Sequence, residues 1–123
     1  MGIGNVHQHL TSQRSESAQG DGTTSYYVDM RAYNRLGIQL GLTAGAAGDN
    51  TVTVHASNDD TVAQDSATYV DVTTAWFGAA NYTADAFIEE PDACAAFVRI
   101  DVVRANDGGN NDGAWQIDIH KKG

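Results

Sequence analysis

The sequence predicts an all-β fold: an antiparallel β-sandwich or jelly-roll-like single domain preceded by an extended N-terminal arm. Three observations carry that expectation. Apolar and polar residues alternate with period two through "RLGIQLGLT", "TVTVHAS", "AFVRIDVV" and "AWQIDIH", the pattern of half-buried strands. Such segments recur about every ten residues with Gly, Asn and Asp between them, and no helical pattern alternates with them as in βαβ folds. Only 19% of the 123 residues are charged, so Thr, Ser, Asn and Gln supply most of the surface polarity, as suits strands. A chain of this length makes one domain with a core that needs no staples.

Residues 1–24 are polar and without periodicity, and Ile3, Val6 and Leu10 are too loosely spaced to define a packed element. They are expected to be an extended or flexible arm, with residues 25–123 as the sandwich. Deleting the arm should leave a folded domain. In the body, "SYYVDM" is a short β-favouring run. Leu36, Ile38, Leu40 and Leu42 then share one face of the next strand, opposite Gly37, Gln39 and Gly41. "AGAAGDN" is a loop, and Val52, Val54 and Ala56 mark the following strand.

"ATYVDVTTA" reads as a strand from its β-branched and aromatic content. "WFGAANYTADAFIEE" also favours strands, although part of it would tolerate an amphipathic helix. Pro91 opens a turn. Val98, Ile100 and Val102 face in from the next strand, and Trp115, Ile117 and Ile119 from the last. Between these two lies "NDGGNNDG", residues 106–113. Its Asp and Asn spacing fits an EF-hand loop poorly, so it is expected to be the turn that lets the last two strands pair.

A net charge of −9 argues against binding a nucleic-acid backbone and against anionic membranes. The start shows no basic segment followed by an apolar run, so a secretory signal is not expected, and no stretch approaches a transmembrane length. Cys94 is the one cysteine; its small and apolar neighbours suggest a buried, inert thiol. His7 and His9 are two apart, as a shared metal would need, but zinc takes three or four ligands and no other candidates lie nearby. No metal or cofactor is expected.

No serine lies in a nucleophile-elbow motif, Glu89 and Glu90 would project to opposite sides of a strand, and no phosphate loop is present. An enzyme is therefore not expected. In Tyr26-Tyr27 and Trp76-Phe77, one ring of each pair should face the core and its neighbour the outside.

The order "YYVDMRAYNRLGIQLGLTAGAAGDNTVTVHASND", followed by "YTADAFIEEPDACAAFVRIDVVRA", resembles small virion proteins of tailed bacteriophages. It presents their V-D-M lead-in, Y-x-R, Gly/Ala loop, TVTVxASxD segment, acidic turn and F-V-R-I-D-V strand in sequence. Residues 26–59 and 82–105 carry the match, roughly half the chain. The resemblance implies a β-sandwich capsid decoration (cement, head-stabilising) protein assembled in the host cytoplasm and bound to the capsid exterior. Its partners would be the major capsid protein and further copies of itself, a trimer being favoured, with Ile3, Val6, His7, His9 and Leu10 of the arm as contacts. From another class, a carbohydrate- or receptor-binding module of a phage tail or fibre would need exposed aromatics grouped with polar residues in one groove.

Overall fold

The computed structural model describes residues 7–15, 22–43, 50–104 and 114–123, with side chains for 22–42, 50–103 and 115–123. Among the described residues eight strands and one short helix follow in the order β1 (His7–Ser15), β2 (Gly22–Asp29), β3 (Arg35–Thr43), β4 (Thr51–Ser57), β5 (Val70–Asp71), α1 (Thr73–Phe77), β6 (Ala86–Glu90), β7 (Phe97–Arg104) and β8 (Ala114–Lys122). They build two four-stranded antiparallel sheets, ordered β1-β8-β3-β6 and β2-β7-β4-β5. Consecutive strands alternate between the sheets through most of the chain, which is the double Greek key of a jelly roll. The expected fold class is the one observed.

Register turns the sequence alternation into a core. Ile38 is paired with Ile119 on one side and Ile88 on the other, and Leu40 with Ile117 and Ala86. In the second sheet Ile100 lies between Tyr26 and Val54, and Val102 between Thr24 and Val52. Opposite residues of a ladder share a face, so each row presents apolar side chains to the space between the sheets. Ile38, Val52, Val54, Val98, Ile100, Val102 and Ile117 are completely buried there. Trp115 is buried in the same cluster, and its indole N–H donates to the Tyr26 hydroxyl at 2.9 Å, a bond that reaches from one sheet to the other.

Two sequence expectations are corrected. "NDGGNNDG" itself lies outside the described residues, but β7 pairs with β2 and β4 while β8 pairs with β1 and β3. The last two strands are therefore in opposite sheets and form no hairpin; turn-forming composition specifies a reversal, not which strand lies alongside. "ATYVDVTTA" is a strand for only two residues before α1 begins. Val72 N–H still donates to the Val54 carbonyl (2.9 Å), but the next rung is taken by a side chain. The buried Thr73 hydroxyl accepts from Val54 N–H at 2.8 Å and donates to the Val54 carbonyl at 3.1 Å, so the backbone is released to coil.

The Asp71 carboxylate accepts from Thr73 N–H (2.9 Å), which holds its pKa below the usual value. Gly78, at φ 77°, ends the helix in the left-handed region that side chains disfavour, its N–H on the Thr74 carbonyl. Trp76 and Phe77 are consequently helical neighbours in T-shaped contact, both packed on the core, rather than on opposite sides of a strand.

The start of the chain also contributes to the first sheet. His7–Ser15 is an edge strand paired along nine residues with β8, and β2 begins at Gly22, three residues before the boundary set from sequence. Deleting residues 1–24 would strip one strand from the first sheet and shorten another, so unchanged folding no longer follows. A polar strand without internal periodicity gives no sequence signal when its partner supplies the pairing.

At one end of the sandwich Lys121 continues the inward phase of Trp115, Ile117 and Ile119 and is 4% exposed. Its ammonium donates to the Asp29 carbonyl (2.8 Å) and lies 4.5 Å from the centre of the Tyr33 ring. Burial pushes the Lys121 pKa down from 10.5, against a smaller upward pull from the Asp29 charge. Asp29 is itself held below its usual range, first by hydrogen bonding from the Arg31 guanidinium.

Two outcomes are expected. Tyr26→Phe leaves the buried indole N–H without its acceptor and should cost about 1–3 kcal/mol in urea denaturation; an unchanged midpoint would show that the bond between the sheets contributes nothing. For Lys121, the native state releases its proton before the unfolded chain does, so its contribution to stability improves as pH rises from the folded pKa to 10.5. Wild type should therefore gain stability relative to Lys121→Met between neutral pH and that value, whereas a pH-independent difference would refute the burial argument.

Candidate functional site

Of the residues expected to contact a partner, Ile3 and Val6 lie outside the described residues. His7, His9 and Leu10 fall on β1, where the register pairs them with Lys122, His120 and Ile119. Among the described residues no group of three or more His, Cys, Asp and Glu side chains could hold a metal ion. Cys94 is exposed, contrary to expectation: it follows the buried Ala93 in the turn before β7, ahead of the strand whose apolar pattern suggested burial.

The outer face of the second sheet carries a polar network. Asp101, only 8% exposed, accepts from the Ser25 hydroxyl (2.7 Å) and pairs with Arg99 (2.9 Å) and the His55 ring (3.3 Å). Their strand positions explain the meeting: Ser25 is paired with Asp101 and His55 with Arg99, all on the outward phase. The chain between β4 and β5 covers this face, with Tyr69 6.2 Å from the Tyr27 ring and the Arg99 guanidinium 4.8 Å from the Tyr69 ring centre. Burial raises the Tyr69 pKa.

Ser, His and Asp are the residue types of a hydrolytic triad, but the connections differ. The serine hydroxyl donates to the carboxylate, and the His55 Nε2 is shared between Asp101 and the Thr53 hydroxyl (3.0 Å). A triad needs the imidazole on the serine, where it can take the proton. The arrangement instead satisfies a buried carboxylate and ties three strands together.

On the outer face of the first sheet sequence reasoning missed a residue. Phe87 on the edge strand β6 is 67% exposed, the most exposed large apolar residue among those described. Its signal was available: Ile88 faces the core, so Phe87 must share the outward phase with Glu89. Next to it, Gly37 of β3 is paired with Glu89 of β6 and with His120 of β8. Neighbouring strands are about 4.8 Å apart, so a position without a side chain separates two walls whose backbones are roughly 10 Å apart.

The result is a cleft of about 280 Å³ lined by Arg35, Leu36, Gly37, Phe87, Glu89, Glu90, Pro91, His120 and Lys122. A second depression, at Tyr27, Asp29, Arg31, Tyr33, Gln64 and Lys121, is less distinctive because its cations are engaged: Arg31 by Asp29, and Lys121 by the Asp29 carbonyl and Tyr33.

No family model matches this chain, and no curated protein matches it. Solved structures do match in fold. The SPBc2 prophage-derived protein YomS is similar at a TM-score of 0.53, with 9% identity over 96% of each chain. A chitosan-binding module from a Paenibacillus sp. IK-5 chitosanase/glucanase reaches 0.48, with 11% identity over 93% of this chain and 94% of that one. The infectious bursal disease virus VP2 subviral particle reaches 0.45, with 10% identity over 95% of this chain and 33% of that one. The likeness to YomS shows the shared β-sandwich fold.

Proposed function

We propose that this chain is a non-enzymatic virion structural protein that decorates the outside of a phage capsid and stabilises it by bridging neighbouring major capsid protein subunits. One observation supports the reading above others. The two segments that resemble phage decoration proteins, residues 26–59 and 82–105, supply the second half of β2 and all of β3, β4, β6 and β7 of a jelly roll, an architecture common among capsid and lectin domains.

Physical features agree with it. The buried Ser25–Asp101–His55 group is wired for structure and not for proton transfer. Among the described residues the edge strands β1 and β6 of the first sheet each have one partner, leaving backbone groups for a neighbouring subunit. An acidic protein outside the shell has no need to touch the genome, and many identical weak contacts on a lattice add through multivalency. A homo-oligomer, with a trimer favoured, would match three-fold lattice positions. Assembly would take place in the host cytoplasm.

The test is addition of purified protein to expanded capsids that lack it. Binding should saturate at a stoichiometry set by lattice sites and raise the capsid melting temperature. A protein that ignores capsids yet is retained on a polysaccharide or cell-surface column would sink the decoration reading in favour of a tail or fibre module.

A further inference from the structure

We infer that the cleft centred on Gly37 is a binding site for a neutral pyranose, one residue of a polysaccharide chain lying along the outer face of the first sheet. This does not rest on the capsid reading, because a sugar site would serve a protein on a capsid or on a tail.

Four features of the cleft converge on that ligand. The first is its platform. Phe87 has no polar group to account for its exposure and is offered on an edge strand, where nothing on the far side of β6 within the described residues shields it. The C–H face of a pyranose packs on such a ring, and the ring's negative face favours polarised C–H groups.

The second is the floor: Gly37 removes a side chain from the middle of a β-sheet row, although a Cβ there would meet only the His120 Cβ at 3.9 Å, an ordinary contact. Glycine is thus not required by packing, and in a strand interior it costs stability. What it provides is the slot between Glu89 and His120.

The third feature is charge balance. Arg35 and Lys122 are offset by Glu89 and Glu90, so the rim offers donors and acceptors without an excess of either sign. A polyhydroxyl ligand uses both, whereas an anion or a cation would be recognised by a surplus of one. The last is size. About 280 Å³ is just below the range of drug-sized ligand pockets (roughly 300–1,000 Å³), which suits a single ring more than a long ligand. The cleft also opens to the surface, so neighbouring sugars can extend beyond it.

Backbone amide shifts of the full chain, recorded during titration with cellohexaose, maltohexaose and the N-acetylglucosamine hexamer, test the inference. At least one hexamer should produce saturable shifts at Gly37, Phe87, Glu89 and His120. Phe87→Ala should weaken that binding about tenfold, the scale of one lost aromatic stack. Gly37→Val, which fills the slot with a residue that strands favour, should abolish it.

Gly41→Val is the matched control. It places a side chain on the same strand outside the cleft, where a Cβ meets Gln116 at 3.8 Å, and should leave affinity unchanged. Circular dichroism checks that each variant is folded. The inference is overturned if none of the three hexamers saturates at millimolar concentration, if the shifts map elsewhere, or if folded Phe87→Ala and Gly37→Val bind as wild type does.

Discussion

The structure depends on burying two strands that follow one another in the chain but lie in opposite sheets. β7 contributes Val98, Ile100 and Val102, β8 contributes Trp115, Ile117 and Ile119, and all six are at most 3% exposed. Each strand is central in its sheet, β7 between β2 and β4 and β8 between β1 and β3. Removing either would therefore take away the partner of two others. Burying a large aliphatic or aromatic side chain contributes about 1.5–3 kcal/mol, whereas a typical internal hydrogen bond contributes about 1 kcal/mol. The apolar stripes are thus the main driving force. The Trp115–Tyr26 bond chiefly prevents the indole N–H from being buried without a partner.

Placing the apolar residues between the sheets sends the polar phase of every strand outward, and the two outer faces use it differently. On the second sheet several outward residues bond to one another: Ser25, His55 and Arg99 converge on Asp101, and Tyr69 packs over Tyr27 and Arg99. On the first sheet the central strand β3 carries glycine where side chains would otherwise stand, and the edge strand holds out a phenylalanine. A loop packs over part of the second face, whereas the first presents an exposed aromatic ring beside a cleft.

Most of this was legible in the sequence wherever one side of a strand is buried. β3, β4, β7 and β8 follow the runs that alternate with period two, because a half-buried strand writes its orientation into every residue. The exposed Phe87 was legible by the same rule, from the inward Ile88 beside it. Other features were not. β1 is a polar edge strand specified by its partner β8, and β5 ends where the Thr73 hydroxyl replaces a ladder contact. Thr and Val have the same strand preference whether or not such a substitution occurs. Which strands become neighbours was also hidden: residues 106–113 have the composition of a tight turn, and only the assembled sheets show that they join strands of different layers.

The fold and its cleft rest on one pairing scheme, with Gly37 between His120 and Glu89 in one sheet and β7 confined to the other. Long-range Hα and amide nuclear Overhauser effects across the strands measure it directly. Cross-strand contacts are expected of Gly37 with both His120 and Glu89 and of Ile100 with Tyr26 and Val54, with no ladder between β7 and β8. A regular series of contacts linking residues 97–104 to residues 114–122 as a hairpin would contradict the jelly roll and remove the cleft with it.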